Sequence, residues 1–153
     1  MAKRVIELNV NGEVYEVAID VHRTLLEVLR ETIGLTGAKE ACDMGDCGAC
    51  TVLVDGTPVL SCLMLAMDAI GKDVTTIEGL AKGGELHPLQ KAFVEHGGIQ
   101  CGFCTPGMVL TAKAFLEKNP KPTVDEVKMA ISGNLCRCTG YVKIVEAIMA
   151  AGA

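Results

Sequence analysis

Four of the eight cysteines lie close together in the first half of the chain. Their spacing is C-x4-C-x2-C-x11-C, and they are Cys42, Cys47, Cys50 and Cys62. The first three positions match the arrangement that holds a plant-type [2Fe–2S] cluster. Bridging sulfides and thiolate sulfurs carry negative charge, so a loop around such a cluster must direct backbone N–H groups at them. Gly45 and Gly48 allow this because glycine adopts left-handed and close-approach conformations that a side chain would block.

The other four cysteines lie in the second half and form a CxxC pair and a CxC pair, Cys101 with Cys104 and Cys136 with Cys138. The CxxC pair stands at the start of a predicted helix, where Pro106 fits the first turn and the helix dipole favours thiolates. The CxC pair stands between two predicted helices. This spacing matches no simple ferredoxin. Thr105 and Thr139 each follow a cysteine of this set and are candidates to donate a hydrogen bond to sulfur.

Other kinds of cysteine site compete with iron. Zinc sites built from four cysteines also use CxxC pairs, so zinc stays open for either set taken alone. Disulfides are disfavoured because the N-terminal run MAKRVIELNV lacks the apolar core of a signal peptide, which predicts a reducing, cytoplasmic setting. The C-x4-C-x2-C triplet favours iron in the first set. Buried thiols without a shared role would not form two groups of four, one in each half.

The composition is that of a globular chain with a redox or metal centre. Of its 153 residues 50% are hydrophobic but only 3% are aromatic, so something other than large side chains must organise part of the interior. A net charge of −5, with no basic run beyond Lys3-Arg4, argues against a nucleic-acid partner. The longest apolar stretch, residues 59–70, is too short and too polar to span a bilayer. We therefore expect a soluble chain.

The pattern of residues 5–76 predicts a small sheet that holds one helix. Alternation over residues 5–10 and 14–19 predicts two strands, and Asn11-Gly12 between them is typical of a type I′ turn. Apolar residues at helical spacing predict a helix over residues 25–33, with Gly34 as its end. A second hairpin is predicted over residues 51–61.

After the glycines at 83 and 84 the apolar period becomes helical. Thr123 and Glu126 form a capping box at the start of one helix. Glycines and charges over residues 77–86 interrupt both patterns and mark a boundary. We therefore predict an α+β chain with a small sheet domain over residues 1–78 and an all-α helical bundle over 79–153. The predicted helices are Pro88–Glu95, Pro106–Lys118, Thr123–Ser132 and Tyr141–Met149.

Four segments around the cysteines are distinctive: CDMGDCGACTV at 42–52, SC at 61–62, QCGFCTPGM at 100–108 and GNLCRCTGY at 133–141. Together they resemble the small iron–sulfur subunit of the molybdenum hydroxylases, the xanthine dehydrogenase and aldehyde oxidase family. The resemblance covers nearly the whole chain, and both cysteine signatures occur in the family's order. No ligand position departs from the family pattern.

The resemblance implies a β-grasp, plant-type ferredoxin-like N-terminal domain over residues 1–78 and a helical C-terminal domain over 79–153, each with one [2Fe–2S] cluster on its four cysteines. A large partner subunit would hold a molybdenum–pterin cofactor and a second partner would hold FAD, in a hetero-oligomer for which a dimer of heterotrimers is one arrangement. This chain would be a non-catalytic electron-transfer subunit. Electrons released at molybdenum would pass one at a time through the second-set cluster, then the first-set cluster, to FAD or another acceptor.

The resemblance also assigns two residues to the neighbourhood of the pterin. Gln100 corresponds to a family glutamine whose amide hydrogen-bonds the pterin. Cys138 corresponds to a ligand whose sulfur lies close to the pterin amino group. Without the adjacent cysteines, Gln100 would be interpreted as a loop-anchoring amide.

Two further functions stay open on the residues alone. A free-standing two-cluster electron carrier would account for the first cysteine set, but such a carrier needs neither a helical domain nor a second cluster. A zinc-stabilised interaction module would account for both sets and would contain no acid-labile sulfide.

Overall fold

A computed structural model describes residues 3–152. Its first half contains a five-stranded mixed sheet. The strands are β1 (Arg4–Val10), β2 (Glu13–Ile19), β3 (Thr51–Val54), β4 (Thr57–Leu60) and β5 (Asp73–Thr75). They lie in the order β2-β1-β5-β3-β4, and only β1 and β5 pair in parallel. With the helices below, the sheet makes an α+β chain, as predicted.

Tight turns join the strands of both hairpins. Asn11 and Gly12 have φ angles of 56° and 82°, and Asp55 and Gly56 have φ angles of 48° and 75°. Positive φ at both central positions is the requirement of a type I′ turn, whose twist matches that of the flanking strands. The turn predicted at Asn11-Gly12 is confirmed.

One helix packs on the sheet. The short α1 (Leu25–Glu27) continues as a π-helical segment over Val28–Ile33, and Gly34 ends it with a φ angle of 88°. Thr24 and Glu27 form a capping box at its start. The predicted helix is therefore present, but most of it is wider than the regular α-helix that the apolar spacing predicts. Its buried leucines join the core of the sheet.

β5 is the strand that the sequence pattern does not predict. It has three residues and pairs with β1 on one side and β3 on the other. The turn of each hairpin adds to this contact, because Asn11 N–H donates to Val74 O over 2.8 Å and Asp55 N–H donates to Asp73 O over 2.9 Å. Three residues are too few to show alternation, so pairing on both sides makes this segment a strand.

The described residues of the second half form four helices, and their apolar faces pack into a second core. The helices are α2 (Pro88–Glu95), α3 (Thr105–Lys118), α4 (Val124–Ala130) and α5 (Val142–Ala151). All four lie where they are predicted, with ends that differ by about two residues or fewer. The capping box of Thr123 and Glu126 is present. None of the helices within residues 3–152 is long and apolar enough to cross a membrane.

The two halves pack against each other through α3 and β3. Leu53 of β3 is 1% exposed and belongs to the core of the helical half rather than to that of the sheet. The contact therefore lies directly after the loop that carries the first cysteines.

Candidate metal centres: two sets of paired cysteines

The loop from Cys42 to Cys50 wraps around the Cys42 sulfur. Backbone N–H groups of Met44, Asp46 and Cys47 donate to this sulfur, the last over 3.4 Å. These hydrogen bonds, that of Met44 above all, lower the pKa of the Cys42 thiol to about 6. The loop therefore favours the thiolate, which is the form that binds metals.

Cys50 and Cys62 lie deeper, and both are buried. Burial raises the pKa of the Cys62 thiol to about 12, the Cys50 thiol adds to this effect, and the N–H of Gly45 opposes it. The Ser61 hydroxyl donates to the Cys50 carbonyl over 2.6 Å and so holds the two segments together. Buried thiols of this kind become thiolates when a metal cation replaces the proton.

The first-set sulfurs lie in two neighbouring pairs, Cys42 with Cys47 and Cys50 with Cys62. The pairs are close to each other, since the charge of Cys42 also raises the pKa of Cys62. Within residues 3–152, no three His, Cys, Asp or Glu side chains are arranged to hold a single metal ion. Two thiolates on each of two irons complete the four-cysteine ligation of a [2Fe–2S] cluster, so the paired arrangement fits that cluster.

The second set also consists of two pairs, Cys101 with Cys138 and Cys104 with Cys136. The first of these pairs is exposed, and its sulfurs are 3.5 Å apart. The other pair is half-buried, and burial raises the pKa of the Cys104 thiol to about 12. The structure therefore brings together all four predicted cysteines in each half.

The helices position the second set. Cys104 immediately precedes α3, and Pro106 lies in the first turn of that helix as predicted. Cys136 and Cys138 lie in the connection between α4 and α5. The set therefore depends on the packing of three helices rather than on one loop.

Gly45 and Gly48 both adopt left-handed conformations, with φ angles of 88° and 72°. A Cβ atom on Gly45 would lie 2.5 Å from Cδ1 of Leu63, next to Cys62. A Cβ atom on Gly48 would lie 2.3 Å from the carbonyl oxygen of Gly133, in the other half. Gly48 therefore makes room for the helical half, a contact that the sequence reasoning missed.

A junction joins the loops of the two sets, and its residues are Cys47, Gly48, Gly107, Asn134 and Leu135. The Leu135 N–H donates to the carbonyl of Cys47 over 2.9 Å. The buried amide of Asn134 donates to the carbonyl of Gly48 over 3.0 Å. A Cβ atom on Gly107 would stand 2.4 Å from that same Gly48 oxygen. The segment that carries one set is thus hydrogen-bonded directly to a cysteine of the other.

The sequence contains little signal for this junction. Asn134 and Gly48 are 86 positions apart, and neither residue type predicts its partner. A small residue at Gly107, inside a helix, is the one hint of a close approach. Packing of α3 on β3 is what brings the three residues together.

Gln100 is exposed beside Cys101, at the surface of the exposed pair. We name the exposed apolar residues that flank this set the second-set rim: Ile99, Phe103 and Leu135. A groove of about 860 Å³ extends along α5 from Gly140, and its lining includes Tyr141, Val145 and Met149. Thiols, an amide and exposed apolar side chains together form the kind of surface that a partner protein covers.

Two family models together match almost the whole chain. Residues 8–75 match the 2Fe-2S iron-sulfur cluster binding domain, and residues 76–149 match the [2Fe-2S] binding domain. Each match contains one of the two cysteine sets. The chain therefore carries two [2Fe–2S]-binding domains, and its cofactors are two [2Fe–2S] clusters.

Relatives align over nearly the same length. The nicotinate dehydrogenase small FeS subunit of Eubacterium barkeri is 53% identical, over 97% of this chain and 94% of its own. The xanthine dehydrogenase iron-sulfur-binding subunit of Escherichia coli O157:H7 is 48% identical, over 94% of this chain and 91% of its own. The solved structure of quinoline 2-oxidoreductase from Pseudomonas putida 86 matches with a TM-score of 0.96 at 45% identity, covering 99% of this chain and 95% of that one. The chain belongs to the small iron–sulfur subunits of the molybdenum hydroxylases, the xanthine dehydrogenase and aldehyde oxidase family.

Proposed function

We propose that the chain is the electron-transfer subunit of a molybdenum–pterin hydroxylase or dehydrogenase complex and passes electrons one at a time from the molybdenum site to FAD or another acceptor. The observation that carries the proposal is the pairing of thiols in both sets, together with the junction that connects the sets. A free-standing carrier needs a single site. Two sites in fixed contact suit a relay with separate points of entry and exit.

The proposed ligands are the two cysteine sets. Each set offers two pairs of thiols, and backbone N–H groups donate to the sulfurs, as a negatively charged cluster requires. Each cluster, when bound, takes up and releases one electron at a time. The first is assigned to Cys42, Cys47, Cys50 and Cys62, and the second to Cys101, Cys104, Cys136 and Cys138.

The second set is the proposed entry from the molybdenum partner. Its Cys101 and Cys138 thiols are exposed, whereas the first set keeps two thiols buried. Gln100 stands at this surface, where its amide is free to hydrogen-bond the pterin, and the Cys138 sulfur is proposed to lie beside the pterin amino group. A partner that covers the second-set rim would also exclude water from this entry.

The junction is the proposed connection between the sets. From the backbone of Cys136 the chain leads to Leu135, whose N–H donates to the Cys47 carbonyl over 2.9 Å. All other links on this route between Cys136 and Cys47 are covalent bonds. The Asn134 amide holds the same two loops, so the separation between the sets stays constant while electrons pass.

The first set is the proposed exit towards the flavin partner. We name the exposed Met44 and Leu63 the first-set rim, since they flank the loop at Gly45 and are 66% and 62% exposed. An apolar rim beside each set fits a hetero-oligomer in which separate partners contact the two sites. A dimer of heterotrimers and a cytoplasmic location complete the proposal, and family membership supports both.

A β-grasp domain followed by a helical domain is the proposed architecture. The sheet order and the helix on one face of the sheet support it. The proposed ranges are residues 1–78 and 79–153, of which residues 1, 2 and 153 lie outside the described part. The two family models, which meet at residues 75 and 76, support a boundary in this region.

Purification from native cells tests the subunit proposal. We expect the chain to purify with a large molybdenum–pterin chain and a flavoprotein. Phe103→Asp places a charge in the second-set rim and is expected to release the large chain. Val14→Asp places the same charge at another exposed apolar residue, on β2, and is the control expected to keep the complex intact. Purification of the unaltered chain as a stable, redox-active monomer would favour the free-standing carrier instead.

A further inference from the structure

We infer that Thr139 sets the reduction potential of the second cluster through a hydrogen bond to the Cys136 sulfur, and that Tyr141 holds this bond in place. The inference rests on the proposed function, in which Cys136 is a cluster ligand. Thr139 is then a positioning residue, since it acts on the cluster through the sulfur of another residue.

Three contacts among Cys136, Thr139 and Tyr141 form a closed ring. The Thr139 hydroxyl oxygen lies 3.1 Å from the Cys136 sulfur. The Tyr141 backbone N–H donates to that hydroxyl oxygen over 3.1 Å. The Tyr141 hydroxyl in turn accepts the backbone N–H of Cys136 over 2.9 Å. Tyr141 thus holds both the hydroxyl and the residue that carries the sulfur.

The ring fixes the direction of the hydrogen bond to sulfur. A metal-bound Cys136 sulfur has lost its proton and can only accept. The Thr139 oxygen already accepts one hydrogen bond from the Tyr141 N–H, so its own proton is free to point at the sulfur. The hydroxyl is therefore the donor, although in a protonated thiol either group could donate.

The backbone at Tyr141 is shaped to make this ring. Gly140 and Tyr141 have φ angles of 62° and 68°. A left-handed conformation is uncommon for a bulky residue and is retained where surrounding contacts enforce it. Here it turns the chain so that the Tyr141 N–H meets the Thr139 hydroxyl and the Tyr141 hydroxyl meets the Cys136 N–H. Helix α5 begins at the next residue.

The sign of the effect follows from charge. Reduction adds negative charge to the cluster and its sulfurs, so an O–H donor stabilises the reduced form more than the oxidised form. Removing the donor is therefore expected to lower the reduction potential. A change on the order of tenfold in the reduction equilibrium corresponds to about 59 mV for one electron.

Thr105 provides a matched control. It follows Cys104 in the sequence as Thr139 follows Cys138. Within residues 3–152, however, the Thr105 hydroxyl makes no hydrogen bond to a sulfur, and Thr105 is the first residue of α3. The two threonines look equivalent in the sequence, and the structure distinguishes them.

The test is a redox titration of the native complex followed by EPR, with the first-set signal as an internal standard. Thr139→Val removes the hydroxyl and keeps the shape, so we expect a lower midpoint potential for the second-set signal alone. Thr139→Ser keeps the hydroxyl and should restore the original potential. Thr105→Val should leave both potentials unchanged.

The inference is overturned if Thr139→Val leaves the second potential unchanged, or if Thr105→Val lowers it by the same amount. It is also overturned if both signals shift together, because that would indicate a general change in the fold. Absence of the second signal from the unaltered complex would overturn the proposed function itself. If Thr139→Val fails to assemble, the comparison of Thr139→Ala with Thr139→Ser gives the same answer.

Discussion

Replacing Gly107 by alanine should force apart the loops that carry the two cysteine sets. In an ordinary helix this change stabilises, by about 0.5–1 kcal/mol. Here the new methyl carbon would stand 2.4 Å from the carbonyl oxygen of Gly48, whereas non-bonded atoms prefer about 3.5 Å. The obstacle is backbone and cannot rotate away, so α3 and the loop must separate by roughly 1 Å.

The size of the effect follows from the hydrogen bonds at this contact. Three hydrogen bonds would be stretched towards or beyond bonding distance. They join Leu135 to Cys47 over 2.9 Å, Asn134 to Gly48 over 3.0 Å and Asn134 to Thr51 over 3.3 Å. At about 1 kcal/mol each, losing all three hydrogen bonds lowers the free energy of unfolding by about 3 kcal/mol. Because alanine stabilises the helix by about 1 kcal/mol relative to glycine, we expect the free energy of unfolding to fall by about 2 kcal/mol in total.

Thermal unfolding of the cluster-loaded chain at a fixed scan rate measures this loss. For a chain of this size, about 2 kcal/mol corresponds to a Tm lower by roughly 4–8 °C. Gly133→Ala is the control, because its Cβ atom would meet nothing within 4 Å and its φ angle is not left-handed. The control should change stability by about 0.5 kcal/mol or less. Equal melting temperatures for the two variants would refute the reasoning about the junction.

Two further predictions concern single residues. Cys101→Ala should remove only the EPR signal of the second cluster and Cys50→Ala only that of the first, and loss of both signals in either variant would contradict the assignment of separate ligand sets. His87 caps α2 by accepting the Leu89 N–H over 3.2 Å, and burial lowers its pKa below 6.5. Because the folded form binds this proton less readily, the stability from the cap is complete above pH 6.5 and falls as the pH drops below it. Urea unfolding at pH 5 and pH 8 should show a pH-dependent loss of about 1 kcal/mol that His87→Asn abolishes, since asparagine caps without titrating.

Much of the fold is predictable because its signals are local. Glycine at positive φ specifies the Asn11-Gly12 turn, and side-chain chemistry within four residues specifies the Thr123 capping box. Long apolar periods specify the four helices of the second half. The grouping of the cysteines into two sets is also visible in the spacing alone.

The remainder depends on contacts between distant segments. β5 is a strand because β1 and β3 border it, and no pattern within Asp73–Thr75 reveals this. The role of Gly48 depends on the position of Asn134 in the other half. The π-helical form of Val28–Ile33, the segment that continues α1, has no signal in the sequence.

The candidate sites divide in the same way. Cysteine spacing predicts which thiols belong together but does not predict that they pair two by two, or that one pair is exposed. The difference between Thr105 and Thr139 depends on the backbone of Tyr141, whose positive φ no residue preference predicts. The cysteine ligands can therefore be predicted from the sequence, whereas the groups that hydrogen-bond their sulfurs can be identified only in the folded structure.

EPR of the fully reduced chain tests the central claim, that two different clusters share this one subunit, most directly. We predict two inequivalent signals that integrate to about two spins per chain, one for each [2Fe–2S] cluster. A single signal that integrates to about one spin, or no signal in a chain that contains stoichiometric zinc, would contradict the account.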